Sequence, residues 1–141
     1  MEIVNTILIV VLVIAWVLIM LQAMRYRRAI KTWIAPVLVQ QRLDEGEDIL
    51  ILDVRTEEEF RKEGHIKGAV NLPLRELGAR LTKNREELRK FKDTAVIIVC
   101  RVGGRSTSAL WPVQRAGLKQ ARIMQGGMHR WIAQGLPVVK S

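Results

Sequence analysis

The stretch "VIIVCRVGGRSTSAL", residues 96–110, joins three kinds of sequence in fifteen positions. It begins as a β-branched apolar run and reaches the only cysteine of the chain, Cys100. It then passes through Arg101, Val102, Gly103, Gly104 and Arg105 to a hydroxyl-rich segment that starts at Ser106. An apolar run this short, preceded by Asp93 and Thr94 and followed by glycines, reads as a buried strand over 94–100. Ser106 to Ala116 then reads as a helix, in which Pro112 must either kink the helix or sit near its end.

The same alternation extends on both sides. "DILILDV" (48–54) is a second continuous apolar run and reads as a buried strand. Thr56 followed by Glu57, Glu58 and Glu59 is a helix N-cap with acids in the first turn, starting a helix that ends near Gly64. A very short strand fits Ala69 to Asn71. Leu74, Leu77, Leu81, Leu88 and Phe91 have helical spacing, with a break near residues 82–84. "ARIMQ" (121–125) is a third full strand, and "GGMHRWIAQG" is a last helix stopped by Gly135 and Pro137. Upstream, Pro36 suits the first turn of a short helix that ends at Gly46. Apolar strands alternating with helices predict an α/β fold with a mostly parallel sheet covered on both faces. The reactive site of such a sheet lies outside the carboxyl ends of its strands, where Cys100 falls.

The first residues have a different character. Ile3 to Leu21 holds no charge, and Ile7 to Leu21 holds no polar side chain. About 20 such residues cross a hydrocarbon core roughly 30 Å thick. Glu2 precedes this stretch, no Ala-x-Ala follows it, and Arg25, Tyr26, Arg27, Arg28 and Lys31 come after it, which favours an anchor over a cleaved signal. The expected organisation is a transmembrane anchor over 1–24, a basic juxtamembrane linker over 25–33 and one domain over 34–141. The positive-inside rule places that domain in the cytoplasm, at the inner (plasma) membrane. Anionic lipid headgroups are the natural partner of the basic cluster.

All 23 Lys and Arg follow residue 24, giving a formal charge of +9 to the 141-residue chain. Beyond residue 40 these charges are interleaved with acids, and no zinc-finger spacing, helix-turn-helix pattern or aromatic-studded basic strand accompanies them, so nucleic acid is not the expected partner. A single cysteine forms no internal disulfide, and no Cys/His cluster suggests a metal or cofactor. A free thiol agrees with a reducing compartment.

Glycines after the strand allow positive φ and let successive N–H groups converge on an anion. The helix start at Ser106 adds further donors and partial positive charge. A thiol in that cradle, between Arg101 and Arg105, is expected to be held as the nucleophilic thiolate beside a bound anion. Four residues separate Cys100 from Arg105; sulfurtransferase loops have four there and protein phosphatase loops five. The smaller ring favours a terminal sulfur over a tetrahedral phosphate.

From about residue 34 to residue 138 the chain resembles a single-domain rhodanese. "LDVRTEEEFRKEGHIKGAVNLP" is similar to the upstream signature of that family, Cys100-x4-Arg105-Ser106 to its active-site loop, and "GGMHRWIAQGLPV" to its C-terminal signature. The resemblance implies a rhodanese-like fold in which Cys100 accepts a sulfane sulfur as a persulfide from a small anionic donor such as thiosulfate and passes it to a thiophilic acceptor. A protein thiol or persulfide partner belongs to the same chemistry. Arg101, Val102, Gly103, Gly104, Arg105 and Ser106 would then form the cradle, with the arginines drawing in the donor. Asp53, Arg55 and His65 would have supporting roles, the first two as a buried pair and His65 as a hydrogen-bonded histidine in a Gly-His-Ile turn. Met128 and His129 replace the aromatic residue that often follows the paired glycines. A membrane-tethered interaction module is the alternative to an enzyme, and a phosphatase or arsenate reductase comes third.

Overall fold

A computed structural model describes residues 1–140. It divides into two compact units, residues 1–31 and the chain from Thr32 onward.

The first unit is the greater part of a single helix, α1 (Glu2–Thr32). Its apolar side chains from Ile3 to Leu21 are all exposed, so it has no buried stripe to pack against protein. Over Glu2–Arg25 it is long and apolar enough to cross a membrane. Residues 25–32, expected within a linker, continue this helix, and Trp33 opens a strand. The change from apolar to basic side chains does not end the helix, because Ala, Arg and Lys are good helix formers and neither Gly nor Pro occurs before Pro36.

The second unit is built on five strands: β1 (Trp33–Ile34), β2 (Ile49–Asp53), β3 (Val70–Asn71), β4 (Ala95–Val99) and β5 (Ala121–Met124). Their order is β1-β5-β4-β2-β3 and every pairing is parallel. In the two central strands Leu52 lies beside Ile98 and Asp53 beside Val99. The helices are α2 (Pro36–Asp44), α3 (Glu57–Glu63), α4 (Leu74–Lys83), α5 (Arg85–Leu88), α6 (Gly104–Arg115) and α7 (Gly127–Ala133).

A strand buried on both faces needs apolar side chains on both, which is why β4 shows no alternation of polarity. Val96, Ile98 and Cys100 face Leu77 and Leu81 of α4 and Ala109 and Val113 of α6. Ile97 and Val99 face Val39 of α2 and Met128 and Trp131 of α7. Each fully buried Ile or Leu is worth roughly 1.5–3 kcal/mol of removed apolar surface, so these two layers hold the sheet between them. Trp131 is buried completely, with its indole Nε1–H donating to the Pro137 carbonyl at 2.8 Å.

Local signals set the helix ends. Thr56 and Glu59 form a reciprocal capping box at the start of α3. The break between α4 and α5 falls at Asn84. α6 begins at Gly104, two residues before the expected Ser106, and retains Pro112 in its interior. The left-handed Gly103 ends the loop early enough for Gly104 to take helical φ and ψ.

Candidate active site

Cys100 follows the last residue of β4, the central strand, and is 1% exposed. The chain turns back over it at Gly103, whose N–H donates to the Cys100 Sγ at 3.0 Å. Gly103 has φ +124°, a region that side-chain-bearing residues rarely enter, so its glycine is required by the turn. Gly104 is the first residue of α6, with helical backbone. A Cβ added there would meet nothing within 4 Å, which leaves the backbone at the mouth of the loop uncovered.

Three loop carbonyls are occupied elsewhere. The N–H of Met128 donates to the Cys100 carbonyl at 2.8 Å and that of His129 to the Arg101 carbonyl at 2.9 Å. The Gly103 carbonyl accepts from both the backbone N–H and the Oγ1 of Thr107, each at 3.0 Å. The contact with α7 is close enough that a Cβ on Gly127 would stand 2.3 Å from the Cys100 oxygen and 2.6 Å from the Arg101 carbonyl carbon. Gly127 therefore lets the start of α7 pack directly on the cysteine loop.

The two arginines of the loop differ in their roles. Arg101 is exposed at the rim, as is Val102. Arg105 is turned to α3, where its two terminal nitrogens donate to the two carboxylate oxygens of Glu59 at 2.6 Å each. The two arginines expected to draw in a donor are thus placed differently, Arg105 paired with Glu59 and Arg101 alone presented outward. The Arg105 guanidinium, with help from the backbone and hydroxyl of Thr56, holds the Glu59 carboxyl down at about 2. Its own pKa is raised by the same bonds. Glu59 therefore serves the helix cap and the active-site loop with one carboxylate.

Below the loop, Arg55 and Asp53 are buried together. Arg55 donates from Nε to both Asp53 oxygens at 3.1 Å and from Nη2 to Asp53 Oδ2 and to the Gly64 carbonyl at 2.8 Å each. A buried guanidinium needs such partners, because an unpaired one is several kcal/mol too costly. The pair fastens the end of β2 to the end of α3, and Asn71 Nδ2 on β3 completes the join by donating to the Asp53 and Arg55 carbonyls.

His65 departs from expectation. Its backbone pairs with Val139, but its imidazole stacks on Phe60 with ring centroids 3.7 Å apart, and Nδ1 has no hydrogen-bond partner among the described residues. Burial lowers its pKa, with Asp53 opposing. An imidazole favoured as neutral and packed on a phenyl ring is an apolar support. Ser106 lies fully buried in the first turn of α6, and its Oγ also has no hydrogen-bond partner among the described residues. Trp111 projects from α6 and is 64% exposed, with the Arg115 guanidinium 4.8 Å from its ring centre.

Glu59, Gly127 and Trp33 also belong to this region and carry no local signal of doing so. Glu59 reads as a capping acid, and its partner is 46 positions away. Gly127 lies in a glycine pair whose use is visible only across the fold. Trp33 is described below.

A buried cysteine at the carboxyl end of a central parallel strand, within a turn that aims an N–H at its sulfur, places the chain among α/β proteins built around a cysteine loop. The chain belongs to the rhodanese-like domain family, which it matches over residues 35–134. It is 35% identical over 99 residues to the uncharacterized protein YibN of Escherichia coli K12, a match covering 70% of this chain and 66% of that protein. It is 35% identical over 101 residues to a sulfurtransferase of Allochromatium vinosum, covering 72% of this chain and 88% of that protein. Among solved structures, a rhodanese-related protein of Thermoplasma volcanium is 27% identical with a TM-score of 0.61, over 77% of this chain and 97% of that one. The human single-domain sulfurtransferase TSTD1 has the same fold at 23% identity and a TM-score of 0.63, over 73% of this chain and 96% of that one.

Proposed function

We propose that this protein is a membrane-anchored sulfurtransferase that carries a sulfane sulfur as a persulfide on Cys100. The observation that carries the reading is the 3.0 Å bond from the Gly103 N–H to the Cys100 sulfur, in a loop whose neighbouring carbonyls are bound elsewhere. The thiolate is the attacking form of a cysteine, and the turn presents a backbone donor rather than a carbonyl to the sulfur.

With thiosulfate as donor, the Cys100 thiolate attacks the terminal sulfur. A Cys100 S–S bond forms, the S–S bond of thiosulfate breaks, and sulfite leaves with the electron pair. Cyanide or a thiolate then attacks the outer sulfur of the persulfide, forming thiocyanate or a new persulfide and returning the Cys100 thiolate. No proton is taken up in either step when the attacking groups are anions. Arg101 at the rim attracts the donor, and the open face at Gly104 admits it. A sulfurtransferase among the relatives supports the same chemistry.

The anchor reading rests on α1, and the cytoplasmic side of the inner membrane on the basic cluster after it. A reporter active only in the cytoplasm, fused after Ser141, is expected to work; activity of a reporter that requires export would reverse the orientation.

The purified full chain in detergent should transfer sulfur from thiosulfate to cyanide, and Cys100→Ala should abolish this. Mass spectrometry after thiosulfate treatment should find 32 Da added at Cys100, the mass of one sulfur. Undiminished transfer by Cys100→Ala would exclude the persulfide route.

A further inference from the structure

The first strand of the domain starts with Trp33, immediately after α1. It is only two residues long, yet it is fixed at several points. Trp33 and Ile34 lie beside Ile123 and Met124 of β5. Arg122 Nη2 donates to the Trp33 carbonyl at 2.8 Å, and the Gln125 N–H donates to the Ile34 carbonyl at 2.9 Å. The Trp33 backbone therefore has a set position at the edge of the sheet.

Its side chain reaches the cysteine loop. A Cβ built on Gly103 would lie 3.6 Å from Cζ3 and 3.8 Å from Cη2 of Trp33, and no other residue beyond the adjoining loop positions comes within 4 Å of it. Gly103 is buried although Arg101, Val102 and Gly104 around it are exposed. On the side where a Cβ would project, the cover over Gly103 is the indole ring.

We infer that Trp33 is a positioning residue for the Cys100 sulfur: its indole shields the Gly103 peptide from water and keeps the Gly103 N–H on the sulfur. Glycine at φ +124° has the freest backbone in the loop and no side chain of its own to exclude water. Uncovered, its N–H would exchange the sulfur for water at little cost, since a bond to solvent replaces the one lost. Held under the ring, it stays on the sulfur, and the pH profile of the thiol reads whether it does. The inference deepens the sulfur-transfer reading, but its readout, alkylation of the thiol, stands whether or not sulfur is the natural cargo.

The test is the pH profile of Cys100 alkylation by iodoacetamide in the full chain in detergent, for native protein, Trp33→Ala and Trp33→Phe. The midpoint should rise by about half a pH unit in Trp33→Ala, which is about threefold in thiolate fraction on its acid side. Trp33→Phe, which keeps a flat apolar cover, should hold the native midpoint. A looser but otherwise unaltered loop would change the plateau rate alone, so an unmoved midpoint in folded Trp33→Ala overturns the inference. Should Trp33→Ala fail to fold, amide exchange in the native protein decides. Gly103 is expected to exchange at least tenfold more slowly than the exposed Val102, and equal rates would overturn the role of the ring.

Discussion

Arg105 and Glu59 face each other through two parallel hydrogen bonds of 2.6 Å, joining the first turn of α6 to the first turn of α3. Bidentate guanidinium–carboxylate pairs are geometrically specific as well as strong. Here the pair holds the helix that follows the cysteine loop at a set distance from the helix that follows β2.

Glu59→Gln keeps the shape of the side chain but removes the charge and one acceptor. Sulfur transfer should fall about tenfold in kcat/KM, about 1.4 kcal/mol of transition-state stabilisation. Combining it with Arg105→Gln should cost little beyond the larger single effect, because both act through one contact. Additive losses in that double-mutant cycle would show that the two side chains work separately.

The same pair has a predictable pH signature. The folded-state pKa of Glu59, about 2, lies below the ordinary value of an unfolded glutamate, so its stabilisation is fully present above about pH 4.5 and is lost as pH falls toward 2. Thermal melts should find native protein more stable than Glu59→Gln at pH 6, with the difference shrinking steadily below pH 4. A difference that stays constant to pH 2.5 would mean the carboxylate is not what stabilises.

Two glycines near the cysteine should respond in opposite ways to alanine. At Gly127 the new methyl meets the Cys100 carbonyl oxygen at 2.3 Å and the backbone has φ +56°, so Gly127→Ala should lose about 2 kcal/mol or more, a fall in Tm of roughly 8 °C. Gly104 is helical and its Cβ stands in open space, so Gly104→Ala should leave Tm unchanged or raise it by a few degrees. Differential scanning calorimetry of the two variants distinguishes them directly.

Asp53→Asn removes the buried counter-charge of the Arg55 guanidinium and leaves it only the more exposed Glu63 carboxylate, 3.4 Å from Nη1. Breaking a buried pair from one side costs about 3–5 kcal/mol, a large part of the stability of a domain this size. The urea midpoint should drop sharply, and replacing both residues together by Asn and Met should recover part of the loss.

The sheet and its central site were readable because β2 and β4 are uninterrupted apolar runs between acids and glycines, a pattern with few alternatives. The start of α3 was readable from Thr56 and Glu59, and the break at Asn84 from the lapse in leucine spacing. β1 was not readable: two residues show no period, and the helical run before them extends through Thr32. The partner of Arg105 was equally invisible, since three adjacent glutamates open α3 and only the third is turned toward the loop. His65 looked like a hydrogen-bonding residue by type, but Phe60, five positions earlier, takes its ring as a stacking partner.

The carbonyls of Cys100, Arg101 and Gly103 all accept hydrogen bonds from α7 or from Thr107. Each peptide unit is a small dipole, and here the negative ends are bound to protein donors while the Gly103 N–H is aimed at the sulfur. The loop is electrically one-sided: it attracts negative charge at the sulfur with few opposing lone pairs to repel it. That polarity is built from backbone groups and the Thr107 hydroxyl, none of which titrates, so it persists at every pH at which the domain stays folded.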